Sequence, residues 1–162
     1  MTVGEVVQVL GLIACAYLVG SLPIGWLVCR FGFKINILDH GSGRSGTTNV
    51  YRTVGGGAAL IAFVGDLLKG FVPALVARFL FSEFPLVPML VAIIATVGHN
   101  WSIFLKFKGG RGIATGAGAA MFLVWPLGFP QPSPQSHGQV QYPHHKPPAT
   151  LLPWRGEVVV WP

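Results

Sequence analysis

Long apolar runs dominate the hydropathy pattern of this chain, and short segments rich in glycine and charge separate them. Four of the runs are close to the roughly 20 residues that an α-helix needs to cross a bilayer. They cover residues 6–28, 58–81, 86–105 and 113–129. The last run is short and rich in glycine, and Pro23 interrupts the first near its end. The pattern therefore predicts an all-α integral membrane protein with about four transmembrane helices.

The composition excludes a water-soluble domain. Of the 162 residues, 52% are hydrophobic and 10% are charged, whereas a soluble domain carries about 25% charged residues. The net charge is +6, but apolar runs separate the basic residues, so the chain lacks the solvated basic face with which proteins bind nucleic acid. Cys15 and Cys29 both lie in the first run and indicate neither a disulfide framework nor a metal site. We expect no nucleic-acid partner, no metal and no cofactor.

The basic residues predict the orientation of the spans, because cytoplasmic loops retain Lys and Arg. Two segments on one side of the predicted topology contain Arg30, Lys34, Arg44, Arg52, Lys106, Lys108 and Arg111. Between the second and third runs, the opposite side has Arg78. We therefore expect the N-terminus outside and both basic segments in the cytoplasm. A cleaved signal peptide is the alternative for the first run, but Glu5 and the lack of a preceding Lys or Arg argue against it.

The first basic segment, residues 34–57, contains a glycine-rich motif. It reads Gly-Ser-Gly-Arg-Ser-Gly-Thr-Thr-Asn over residues 41–49, without the preceding strand and βαβ unit of a dinucleotide site. Glycines nevertheless let backbone N–H groups converge on an anion. Hydroxyl and guanidinium groups add donors and charge, from Ser42, Thr47, Thr48, Arg44 and Arg52. We interpret the segment as a phosphate-binding loop; a flexible loop with topogenic arginines is the alternative.

The second basic segment, residues 106–112, has the same character. Glycines flank Lys108 and Arg111 just before a helix that is expected to begin at Gly112. The free N–H groups and the dipole of a helix N-terminus favour a phosphate. Two such segments on one face could clamp two phosphate groups. The alternative is topogenic charge at a glycine-rich helix entry.

Three further ionisable residues lie within the predicted spans. Asp66 and Lys69 are three residues apart and share a helix face. A charge at mid-membrane costs roughly 2.5–3.5 kcal/mol on insertion scales, so the two are either functional or a mutually neutralising pair. His99 is either a hydrogen-bonded structural residue or a proton-transfer group.

Four motifs in this order resemble the acyl-phosphate:glycerol-3-phosphate acyltransferases of bacterial membranes, the PlsY type. They lie at residues 20–25, 41–52, 66–70 and 98–115, and the resemblance covers about residues 6–125. It implies a seven-span fold, of which this chain has four spans, in the inner (plasma) membrane. It also implies transfer of an acyl group from acyl phosphate to the 1-hydroxyl of glycerol 3-phosphate. The product is lysophosphatidic acid, for phospholipid biosynthesis, and the step uses no acyl-CoA, acyl carrier protein or metal.

The resemblance also implies residue roles and partners. The catalytic residues are expected to be Arg52, Lys108, Arg111 and His99. The substrates are expected to contact Ser42, Gly43, Gly46, Thr48, Asn49, Gly109 and Gly110. The partners are then acyl phosphate, glycerol 3-phosphate and membrane lipid. The chain departs from the family pattern at Arg44, Ser45 and Thr47, and at Arg111, where Lys is usual; a guanidinium fork is not equivalent to an ammonium.

The character of the chain changes at about residue 126. Nine of the 13 prolines lie between residues 126 and 162, and proline at this density prevents regular helix. We therefore expect a membrane domain over residues 1–129 and a disordered tail over residues 130–162. The family's third cytoplasmic motif is missing, which a truncated or frameshifted gene would explain. The alternatives to the active enzyme are an inactive fragment of it and a non-catalytic protein that binds or transports an organic phosphate.

Overall fold

The structure is a computed structural model that describes residues 2–128, and the side-chain surroundings of residues 2–122. Within this range the chain is helical and contains no strand. The α-helices are α1, Val3–Ser21; α2, Ile24–Leu27; α3, Thr47–Val54; α4, Gly56–Leu80; α5, Leu86–Asn100; and α6, Ile113–Gly128. Shorter helical turns lie at Val28–Gly32, Ile37–Asp39 and Ile103–Leu105. The predicted disordered tail, residues 130–162, lies outside the described residues.

Three helical stretches within residues 2–128 are long and apolar enough to cross a membrane: Val3–Gly32, Gly56–Leu80 and Leu86–Leu105. They correspond to the first three predicted spans, and the chain is an all-α membrane protein. The fourth predicted span forms α6, whose 16 residues extend about 24 Å. This is shorter than the hydrocarbon core of about 30 Å, so a crossing by α6 stays a prediction.

The first spanning stretch is broken at Pro23, as its sequence predicts. Helix α1 ends at Ser21 because proline has no N–H to donate and disfavours helical backbone in the residue before it. The helix resumes at Ile24. The break frees the Leu22 carbonyl to accept a hydrogen bond from Nζ of Lys69 in α4, at 2.6 Å. The interruption therefore lets the buried Lys69 connect α4 to the first spanning stretch by a hydrogen bond.

Glycines bring the helices into backbone contact. Gly20 of α1 lies against Ala95 of α5, and Gly70 of α4 lies against Thr115 of α6; a Cβ on either glycine would collide with that backbone. Small residues at helix interfaces are typical of membrane proteins, because close approach maximises van der Waals contact. The packing places the start of α6 beside Asp66 of α4, where both line one cavity.

The first basic segment contains a helix that its sequence does not predict. Helix α3 carries Val50, which is fully buried and packs with Cys29, Ile37 and the start of α4. It ends at Val54, before Gly55, whose φ of +98° and ψ of −179° are open to glycine alone among the common residues. The segment is therefore a folded structure that is anchored to the first and second spans.

Candidate anion-binding site

The buried side chain of Asn49 stabilises the conformation of the first basic segment. Its buried Nδ2 donates to three backbone carbonyls, those of Ile37 (3.2 Å), His40 (3.0 Å) and Arg44 (2.9 Å). Its Oδ1 accepts a hydrogen bond from the N–H of Ser42 at 3.1 Å. A side-chain amide has two N–H donors, so these contacts occupy both. Asn49 is predicted as a substrate contact, and in this structure its donors position the loop.

Two glycines make the turn around Asn49 possible. Gly41 and Gly43 have φ angles of +56° and +66°, in the left-handed region that favours glycine. A Cβ on Gly41 would also collide with the Asn49 side chain. Gly43, another predicted substrate contact, shapes this turn and is not among the residues that line the cavity.

Each basic segment leads into a helix N-terminus. Helix α3 begins after Gly46, and no side chain caps it. The first N–H groups of an α-helix lack partners within the helix, so those of Thr47 and Thr48 are available to a ligand. Helix α6 begins after Gly112, and Gly46 lies close to the backbone of Gly110. Two helix N-termini, each with partial positive charge, therefore lie side by side.

His99 is buried behind the second basic segment, and two glycines pack against it. Its carbonyl accepts a hydrogen bond from the N–H of Gly110 at 3.1 Å. A Cβ on Gly109 would collide with that carbonyl, and a Cβ on Gly110 would collide with the imidazole. The two glycines, both predicted substrate contacts, set the position of the histidine and are not among the residues that line the cavity.

These elements enclose a cavity of about 240 Å³. Seven of the predicted site residues line it: Ser42, Gly46, Thr48, Asn49, Arg52, His99 and Arg111. The other lining residues are Arg44, Thr47, Phe63, Asp66, Gly112, Ile113 and Ala114. Sequence reasoning names Arg44, Thr47 and the start of α6 as parts of an anion site, and it misses Phe63, which no local pattern marks. Both basic segments thus contribute to one site.

The cavity is suited to an anion. Arg44, Arg52 and Arg111 line it with three guanidinium groups, which bind carboxylate and phosphate oxygens in a fork geometry. The N-termini of α3 and α6 add backbone donors and the positive ends of two helix dipoles. In the lining that the structure describes, Asp66 is the one carboxylate. The arrangement can bind a phosphate and stabilise negative charge that develops on it.

A buried ionic cluster adjoins this cavity. Asp66 and Lys69 are 1% and 6% exposed, and Lys69 Nζ lies 2.8 Å from Asp66 Oδ1. The contact is an ion pair, and this oxygen has no well-aligned hydrogen bond. His99 Nδ1 lies 3.6 Å from the same oxygen, beyond hydrogen-bond distance. Asp66 and Lys69 form the neutralising pair that one interpretation of the sequence predicts, and Asp66 also reaches the cavity.

Lys108 lies apart from the cavity. The chain turns at Lys106 and Phe107, whose φ angles of +50° and +65° are left-handed. After this turn Lys108 lines a second groove, with Arg30 among its neighbours, while Arg111 lines the cavity. The structure therefore separates two cations that the sequence predicts to act together.

Comparisons with known proteins give a consistent result. A family model described as glycerol-3-phosphate acyltransferase matches residues 10–130. The glycerol-3-phosphate acyltransferase of Rubrobacter xylanophilus is 46% identical over 118 residues, which are 73% of this chain and 58% of that protein. That of Geobacillus kaustophilus is 47% identical over 107 residues, which are 66% of this chain and 53% of that protein. The chain thus spans less than three fifths of the length of these relatives.

Two solved structures are similar to this one. Both are crystal structures of PlsY (YgiH), described as an integral membrane glycerol 3-phosphate acyltransferase. The glycerol 3-phosphate form has a TM-score of 0.67 and 34% identity, and the match covers 72% of this chain and 57% of that one. The lysophosphatidic acid form has a TM-score of 0.64 and 35% identity over the same shares.

Proposed function

Because the chain belongs to the glycerol-3-phosphate acyltransferase family, we propose that it transfers an acyl group from acyl phosphate to the 1-hydroxyl of glycerol 3-phosphate. The product is lysophosphatidic acid. One observation carries the proposal: three arginines and two helix N-termini, from segments far apart in the sequence, meet in one cavity. Both substrates carry a phosphate, and such a cavity offers what phosphates bind. Residues 34–57 and 106–112 of the membrane domain, residues 1–129, are then the phosphate-binding segments.

The proposed reaction requires the protein to position its two substrates more than to activate them. The hydroxyl oxygen of glycerol 3-phosphate attacks the carbonyl carbon of the acyl phosphate, and the bond between that carbon and the phosphate oxygen breaks. The departing phosphate takes the hydroxyl proton, so no covalent nucleophile of the protein is needed. Arg52 and Arg111, with Arg44, stabilise the charge that grows on this phosphate. Hydroxyl groups of Ser42 and Thr48 orient the phosphates.

The test is an assay of membranes that contain the whole chain. With palmitoyl phosphate and labelled glycerol 3-phosphate, we expect labelled lysophosphatidic acid above the level of membranes without the chain. Palmitoyl-CoA should not replace palmitoyl phosphate. Mass spectrometry of the protein after reaction should find no acylated residue; an acyl-enzyme would refute the direct transfer.

An uptake assay in proteoliposomes, run beside the product assay, separates the proposal from binding or transport. Proteoliposomes that take up glycerol 3-phosphate but form no lysophosphatidic acid would identify a non-catalytic phosphate protein. Membranes that neither form product nor take up substrate would identify an inactive fragment. Either result contradicts acyl transfer by this chain.

We further propose that the N-terminus lies outside and that both basic segments lie in the cytoplasm. The shared cavity supports one side for both segments, since Arg52 and Arg111 line it together. Reporter tags inserted after residues 34 and 107 should both be cytoplasmic, and a tag after residue 83 should be external. Tags after 34 and 107 on opposite sides of the bilayer would contradict the proposal and the site with it.

A further inference from the structure

A groove of about 500 Å³, separate from the cavity, lies beside the turn at Lys106 and Phe107. Its lining combines basic, aromatic, aliphatic and amide side chains. These belong to Trp26, Arg30, Asn36, Leu38, Phe104, Leu105, Lys106 and Lys108. It shares no lining residue with the cavity of about 240 Å³. One of its lining residues, Lys108, is expected from the resemblance to be catalytic, but the structure places it here and not in the cavity.

The groove carries positive charge, and a hydrogen bond holds one of its aromatic side chains in place. Arg30, Lys106 and Lys108 line it, and no carboxylate does among the residues that the structure describes. Its half-buried Trp26 is held by a hydrogen bond from Nε1 to Oδ1 of Asn36 at 3.0 Å. Asn36 in turn donates to the carboxylate of Asp39 at 2.7 Å, and Asp39 is not among the lining residues. The groove therefore complements a negatively charged group.

Its position in the fold points to the membrane boundary. Two spanning stretches end at Gly32 and Leu105, and the groove takes its cations from just these ends. Phe104 in its lining is 55% exposed, and Phe31 and Phe107, which are next to lining residues in the sequence, are 77% and 59% exposed. Aromatic and basic residues together are typical of the level of lipid headgroups. Anionic lipids of the surrounding bilayer can reach this level by lateral diffusion. A soluble anion, in contrast, makes no favourable contact with exposed phenylalanines.

We infer that this groove binds the headgroup of an anionic phospholipid of the bilayer. Its three cations contact the phosphate and the negative surface of the leaflet. Trp26 and Phe104 contact the glycerol region and the start of the acyl chains. The inference is independent of the proposed acyl transfer, because it needs no residue of the cavity.

The test uses the whole chain in a non-ionic detergent, with thermal unfolding as the readout. Dioleoylphosphatidylglycerol should raise the unfolding midpoint, and dioleoylphosphatidylcholine, with the same acyl chains, should not. The double variant Arg30→Gln/Lys106→Gln should need at least about tenfold more of the anionic lipid for the same shift, because it removes two of the three cations that line the groove. Lys34→Gln/Arg78→Gln is the matched control and should respond to the lipid like the original chain: it also removes two cations, and both residues lie outside the groove lining.

The following outcomes would contradict the inference. Equal shifts with both lipids, or an unchanged shift in the double variant, would overturn it. Inorganic phosphate that reproduces the shift at equal concentration would identify a site for a free anion instead. Arg30→Lys/Lys106→Arg keeps both charges and should bind the lipid like the original chain, so its failure also overturns the inference, even where the glutamine variant does not fold.

Discussion

Replacing Arg52 with alanine is expected to lower the rate of lysophosphatidic acid formation about 100- to 1000-fold, the loss typical of removing one donor to a developing negative charge. Arg52 lies on α3 and is one of three guanidinium groups in the cavity. Its side chain is exposed, and substitutions at exposed positions usually change stability by less than about 0.5 kcal/mol. The variant should therefore insert and fold normally. The measurement is product formation in membranes with matched amounts of protein.

Two further variants separate a specific role from a general loss of charge. Arg52→Lys keeps the charge but loses the planar fork, and we expect a rate between those of the original chain and Arg52→Ala. Arg78→Ala removes an arginine from the last turn of α4, outside the cavity lining, and should leave the rate unchanged. The proposed role of Arg52 is contradicted by a rate within twofold of the original, or by an equal loss in Arg78→Ala.

The first three spans are the features that the sequence predicts best, whereas the anion site stays a proposal. Apolar runs give the spans directly, because a bilayer requires long apolar helices whatever their tertiary contacts. Pro23 ends α1 for a local steric reason. Glycines beside Arg44 and Arg111 indicate an anion site, and both arginines line the cavity. Gly43 and Gly110, however, serve the turn and the packing against His99.

Helix α3 could not be predicted from its own residues. Five of its eight residues are β-branched, the weak helix formers Thr47, Thr48, Val50, Thr53 and Val54. The helix forms because Val50 is buried between the first span and the start of α4, and such a contact overrides local preference. The same tertiary contacts turn Asn49 inward, so its donors meet loop carbonyls. Sequence spacing does not carry this information.

The different positions of Lys108 and Arg111 have a similar origin. They are three residues apart, and a regular helix would have placed them on one face. Residues 108–111 are not helical; they follow a turn whose two residues, 106 and 107, are left-handed, and non-glycine residues in that conformation are not evident from composition. The approach of His99 to Asp66 also depends on how α4 and α5 pack, which neither helix specifies alone.

Replacing Asp66 with asparagine is expected to destabilise the protein by about 3–5 kcal/mol, because it leaves a buried ammonium without its counter-charge. Lys69 is 6% exposed, its Nζ lies 2.8 Å from Asp66 Oδ1, and it donates to the Leu22 carbonyl at the break in the first span. Asparagine has nearly the same size as aspartate, so the loss of stability measures the effect of the missing charge and not of a cavity. The free energy of unfolding is measured by SDS titration in mixed micelles.

The double variant Asp66→Asn/Lys69→Met tests whether that loss comes from the unpaired charge. Removing both charges of a buried pair is often neutral or stabilising, whereas removing one is costly. We therefore expect the double variant to recover more than half of the stability that Asp66→Asn loses, a coupling well above the error of about 0.5 kcal/mol for independent sites. Losses that simply add would show that the two residues contribute separately. The loss of the Lys69 bond to Leu22 should still leave the double variant below the original chain, because that carbonyl then lacks a charged donor.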